Sequence, residues 1–220
     1  MHNFCYLIRD YRTSGKVHVN QEFKSLFKSF IDLQDIDYPV YSTLPANKHH
    51  WTYDYVYKTM IPLICSDYNI PYRSNDFTKH EYFIHNSNLS YLQYAGDYTF
   101  SLTSYTSNEH ATGHHDIFIS PSSKVTYHRV FRYAHQVARI DNKSLHNGKR
   151  LLLNCDSMSV PIIPILACYY QSILVLDNRT EMHFFDKIKQ FKPNDILTIL
   201  IAGPDNKGND AQTRFFLNIK

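Results

Sequence analysis

No stretch of this chain stays apolar for long, neither sign of charge dominates, the cysteines keep no metal-binding spacing, and tryptophan occurs once. Each shortage removes a class of protein. A membrane-spanning helix needs about 20 consecutive apolar residues, and nothing here approaches that, so no membrane span is expected. The opening residues, Met1-His-Asn-Phe-Cys-Tyr-Leu-Ile-Arg-Asp10, hold neither a basic leader nor an apolar stretch of secretory length. As given, the chain reads as cytoplasmic; an export signal upstream would make it periplasmic. With 23 Lys and Arg against 20 Asp and Glu, the formal charge is +3. That leaves no electrostatic footprint for nucleic acid or an anionic membrane surface, although the 13 histidines would raise the charge in acid. Three of the four cysteines (Cys5, Cys65, Cys155, Cys168) lie in apolar segments and read as buried free thiols, compatible with a reducing compartment.

Tyrosine is abundant instead, at 18 residues in a chain that is 15% aromatic. A tyrosine-lined surface offers flat apolar faces and hydroxyls that suit sugar rings; a strand-rich chain would be tyrosine-rich for its own reasons. No repeat, linker or low-complexity tract interrupts the 220 residues. The expectation is one α/β domain over residues 1–220, with a β-rich insertion at about 77–138.

The segment 150–179 carries the most information. Apolar runs at 151–153 and 173–176 read as buried strands, with a turn holding Asp156 and Ser157 and then a helix between them. That is a βαβ unit of a parallel sheet. Ser157 would then stand at the carboxyl edge, where open α/β sheets place ligands, with free backbone N–H groups at the following helix start to hold an oxyanion. Asp156 and Ser157 are equally ordinary helix N-caps.

Elsewhere, residues 4–8 read as a strand, 21–33 as an amphipathic covering helix, 37–41 as a short strand, and 53–68 as a helix interrupted or restarted at Pro62. Alternation at 98–102, 116–119 and 124–131 predicts antiparallel strands within the insertion. The insertion would either wall a cleft or serve as a structural extension. Residues 182–191 read as a helix, 195–201 as an apolar strand and 203–208 as a loop on the edge that would hold Ser157.

The pairing of Asp156-Ser157 with an upstream Asn47-Lys-His-His-Trp-Thr52 resembles the SGNH (GDSL-like) hydrolase superfamily. Within it, the likeness is to the branch of alginate O-acetyltransferases and bacterial proteins with an Asp-His-His-Trp motif. There too the histidine motif precedes the serine motif, and the resemblance spans roughly residues 20–203. It implies a three-layer α/β/α fold with a mainly parallel sheet. Ser157 falls on the family's nucleophile with Asp156 beside it, His50 falls on its base, followed by Trp51 and Thr52, and Asp177-Asn-Arg179 resembles its strand ending in Asp-x-Arg. Gly96-Asp97 is similar to a pair often found between the motifs. His49 is the reserve base.

The resemblance implies a serine-dependent carbohydrate O-acetyltransferase or acetylesterase in polysaccharide modification, with a carbohydrate or polysaccharide precursor and an acyl donor as partners, no cofactor and no metal. Relatives of the alginate type generally work in the periplasm. Two positions depart from the pattern: Cys155 replaces the glycine before Asp-Ser, and Lys48 replaces the aspartate that orients the histidine. A lysine cannot accept the imidazole N–H bond. The acceptor would then be Asn47, a backbone carbonyl, Asp54 one helical turn beyond His50, or Asp205. Two functions follow: a working Ser157–His50 dyad, or an inactive SGNH-like domain that binds glycan or a protein partner. A third reading, a metal site at His110, His114 and His115, needs a helix that Gly113 and its polar neighbours disfavour.

Overall fold

The computed structural model describes residues 2–9, 18–19, 21–35, 55–84, 87–105, 113–125, 137–155, 161–177 and 185–202. Strands β1 (His2–Arg9), β2 (Ser29–Asp32), β3 (Phe77–Ile84), β4 (Ser87–Tyr94), β5 (Tyr98–Ser104), β6 (Gly113–Ile119), β7 (Val137–Asn142), β8 (Arg150–Cys155), β9 (Ser172–Asp177) and β10 (Asp195–Ala202) alternate with short helices. The helices are α1 (Gln21–Lys24), α2 (Ile61–Asp67), α3 (Ile163–Leu166) and α4 (Phe185–Phe191).

The apolar runs that carry no alternation form the middle of the sheet. β9 is buried at every residue and β8 at all but its first, as strands covered on both faces must be. The described strands form one eight-stranded sheet, in the order β2-β1-β10-β8-β9-β7-β5-β6, and a separate β3-β4 hairpin. From β2 to β9 neighbours are parallel; β7, β5 and β6 add antiparallel pairs. This is a mixed, mostly parallel α/β architecture. Of the antiparallel strands expected in the insertion, those at 98–102 and 116–119 are β5 and β6, which extend the main sheet; β3 and β4, which the alternation did not point to, pair with each other, and Leu92 of β4 bridges Val125 outside the named strands.

Helices pack on both faces. On the first face, Val56, Met60, Ile61 and Ile64 meet Ile163, Ile165 and the strand residues Tyr6, Leu151, Leu153 and Val175. On the second, Phe23, Phe27, Ile188 and Phe191 cover Leu7, Leu152, Leu174 and Ile196.

Two local expectations are corrected. Residues 21–33 are not one helix: only Gln21–Lys24 is helical, and Ser29–Asp32 becomes β2 beside β1. The Lys28 N–H bonds Asn3 O and the Leu33 N–H bonds Leu7 O, both at 2.8 Å. The edge of β1 would otherwise present unpaired backbone groups, and satisfying them outweighs helical spacing. Phe23 and Phe27 still bury together, their rings 5.3 Å apart. The helix expected between the two strands of the βαβ unit is a single α-turn, Ile163–Leu166, with Pro164 in its first turn.

The helix expected at 53–68 is described from residue 55 and stays helical through Pro62. The Val56–Met60 segment is a π-helical turn, the Ile61 N–H reaching back to Val56 O, and α2 follows with Pro62 in its first turn. A proline there needs no N–H donor, and the widened turn precedes it where an α-turn would press its ring against a carbonyl. The expected strand at 37–41, the loop at 203–208 and most of the strand at 124–131 lie outside the described residues.

Candidate active site

β8 and β9 are adjacent and parallel, yet the chain leaves them in opposite directions. From β8 it crosses to the first face, where α3 packs; from β9 it crosses to the second, where α4 packs. Adjacent parallel strands whose connections diverge open a crevice at their carboxyl ends, the standing ligand position of open α/β sheets. Cys155 and Asp177 are the last residues of these strands and pair in register. Both are buried on the first face, and the Cys155 thiol is free of any disulfide.

Of the residues singled out from the sequence, the structure describes Asp177 and brings it beside Cys155, two residues before Ser157. Ser157, Asp156, His50, His49, Asn47, Trp51, Asp54, Arg179 and Asp205 lie outside the described residues, as does Lys48. Helix α2 follows the histidine segment in the chain. Its C-terminal neighbour Tyr68 donates to Ile196 O at 2.5 Å and packs against His2 and Phe4, near the amino edge of the sheet. Its preceding turn is buried on the same face. At about 1.5 Å per residue, Val56 stands roughly 18 Å along the helix from that anchor.

The opposite edge is a structural seam. Asp195 accepts from Tyr170 Oη at 3.0 Å and lies 2.8 Å from His2 Nδ1, tying β10, the end of the α3 segment and β1 together. Tyr6 Oη donates to Asp67 on the first face. Burial raises both tyrosines well above the ordinary phenol range, with the neighbouring carboxylates adding to the shift. Burial alone pushes the Cys65 thiol up to about 12, so it is a neutral core side chain at physiological pH and no nucleophile.

His114 and His115 sit on β6, a strand, so their side chains point to opposite faces rather than sharing a helix face. His114 bonds Thr103 Oγ1 at 3.2 Å and lies 3.4 Å from Asp116. Among the described residues no three metal-type side chains converge. Asn154, one residue from the end of β8, and Thr198, its register partner midway along β10, are buried polar residues on the second face that the sequence pattern alone did not single out. The signal was present as a polar residue within Leu-Leu-Leu-Asn-Cys and within Ile-Leu-Thr-Ile-Leu.

No protein-family model and no curated protein matches the sequence. Solved structures do match its fold. A DHHW family protein from Eubacterium siraeum aligns over 99% of this chain and 82% of its own, at 15% identity and a TM-score of 0.60. Bacillus cereus PatB1 with a sulfonyl adduct aligns over 91% of this chain and 81% of its own, at 16% identity and a TM-score of 0.61. The chain thus has the α/β fold of these proteins.

Proposed function

We propose that the protein is a serine-dependent acyl-ester enzyme, a carbohydrate O-acetyltransferase or acetylesterase, with Ser157 as nucleophile and His50 as base. The observation that carries this reading is the packing of α3 and α4 on opposite faces beyond the carboxyl ends of β8 and β9, because Cys155, two residues before Ser157, stands at that edge. The likeness in fold to a DHHW protein, and to PatB1 bearing a sulfonyl adduct, supports a site that meets electrophiles.

In this chemistry His50 takes the Ser157 proton as Oγ attacks the acetyl carbonyl, and backbone N–H groups beyond Ser157 hold the oxyanion. The tetrahedral adduct expels the donor alcohol, which leaves with the proton from His50. A sugar hydroxyl or water, deprotonated in turn by His50, attacks the acyl-enzyme and frees Ser157. Turnover of a chromogenic acetyl ester tests the reading: Ser157→Ala and His50→Ala should each fall to background.

Lys48 and Cys155 favour a second reading, an inactive domain of this fold that binds glycan or a protein partner in a surface-polysaccharide pathway. Background turnover in all three proteins would select it.

A further inference from the structure

Three adjacent strands carry polar side chains at one level of the second face, between layers of leucine and isoleucine. Cys5 on β1 pairs in register with Thr198 on β10, and Thr198 pairs with Asn154 on β8. Asn154 and Thr198 are 1% and 0% exposed. Asn154 Nδ2, Asn154 Oδ1 and Thr198 Oγ1 make no hydrogen bond. Cys5 is fully buried beside them, and burial holds its thiol well above the ordinary range, so it stays neutral.

Buried polar atoms in native proteins nearly always have partners, and three orphans at one spot call for one. A direct bond between the neighbouring side chains would use the hydroxyl and one amide atom, leaving the other amide atom bare. A cation finds no carboxylate here, and an apolar ligand would leave every orphan as it is. A small neutral molecule that both donates and accepts serves all three, and buried water typically makes about three such bonds.

We propose that Asn154 and Thr198 hold a buried water between β8 and β10, and that through it Asn154 positions the segment beginning at Asp156. The second clause rests on the proposed role of Ser157. Asn154 is one residue from the end of β8, so a side chain fixed to β10 at that level fixes where the strand delivers the nucleophile. A displacement of about 1 Å at a reacting atom costs on the order of a hundredfold in rate.

Thr198→Val and Asn154→Leu keep the shape and remove the hydrogen bonding, and Ile196→Val, an apolar change on the same face, is the control. Three quantities are read: electron density in a crystal of the wild type, the thermal midpoint, and the rate of fluorophosphonate labelling. Density for a water within bonding distance of both side chains is expected. Each polar variant should lower the midpoint by about 2–4 °C and slow labelling about tenfold or more, whereas Ile196→Val lowers the midpoint without slowing labelling.

Close-packed density without water, or a midpoint unchanged or raised in Thr198→Val, would overturn the water. A lowered midpoint with unchanged labelling would overturn the positioning role. Should Asn154→Leu not fold, Thr198→Val decides the same questions. Wild-type protein that never labels at Ser157 would sink the enzyme reading and with it the positioning clause, while density and midpoint still judge the water.

Discussion

Cys155 and Asp177 are register partners at the carboxyl ends of neighbouring parallel strands, and the chain departs from them toward opposite faces of the sheet. Such a divergence is a common ligand position in open α/β sheets, and β1 and β2 share it, since α1 packs on the second face and α2 on the first. The Cys155 side chain is packed into the first-face core.

Cys155→Gly should therefore destabilise the protein. It deletes a buried side chain and adds backbone freedom, for a combined cost of about 1–3 kcal/mol. Urea unfolding measures it; an unchanged midpoint would mean that the thiol does not pack in that core.

Pro62 occupies the first turn of α2 after the π-helical turn, a position that suits it. Pro62→Ala should then cost about 0.4–1 kcal/mol through greater freedom of the unfolded chain. A proline straining a helix interior would instead give a gain of about 3 kcal/mol on removal. The sign of the shift in urea midpoint separates the two.

At the amino edge, Asp195 is shared by Tyr170 and His2. Tyr170→Phe removes one bond and should cost about 1 kcal/mol, while Asp195→Leu strands a buried phenol and should cost about 3 kcal/mol. Equal losses in chemical denaturation would show that the carboxylate is not the hub of this seam.

Alkaline pH should unfold the protein early. The Cys65 thiol moves from 9.0 to about 12 on burial, and the Tyr98 phenol from 10.0 to about 12, chiefly by burial. The fold thus holds neutral forms that the unfolded chain gives up at lower pH. Their stabilisation is complete below pH 9 and is lost as pH rises toward 12. A thermal midpoint that falls across this window, less steeply in Cys65→Ala, is expected; a flat profile with thiol titration near 9 would contradict it.

The strands of the βαβ unit were legible because β8 and β9 are nearly unbroken apolar runs, the mark of strands covered on both sides. β2 was not. Its Phe30 and Ile31 fit a helical stripe as well as a strand, and what decided between them was the open edge of β1, which local sequence does not encode. The same limit hid the polar pair of the second face. Asn154 and Thr198 stand out as polar letters in apolar strands, but only the register of β8 on β10 sets them side by side. His2 and Asp195 are 193 residues apart and meet only in the folded sheet.

The central claim is that a nucleophile stands just beyond β8, and the most direct measurement is intact mass after exposure to a small fluorophosphonate. The account predicts a single adduct on the wild type, absent from Ser157→Ala and strongly reduced in His50→Ala. No adduct on the wild type across a wide pH range, or an adduct that persists in Ser157→Ala, would contradict it.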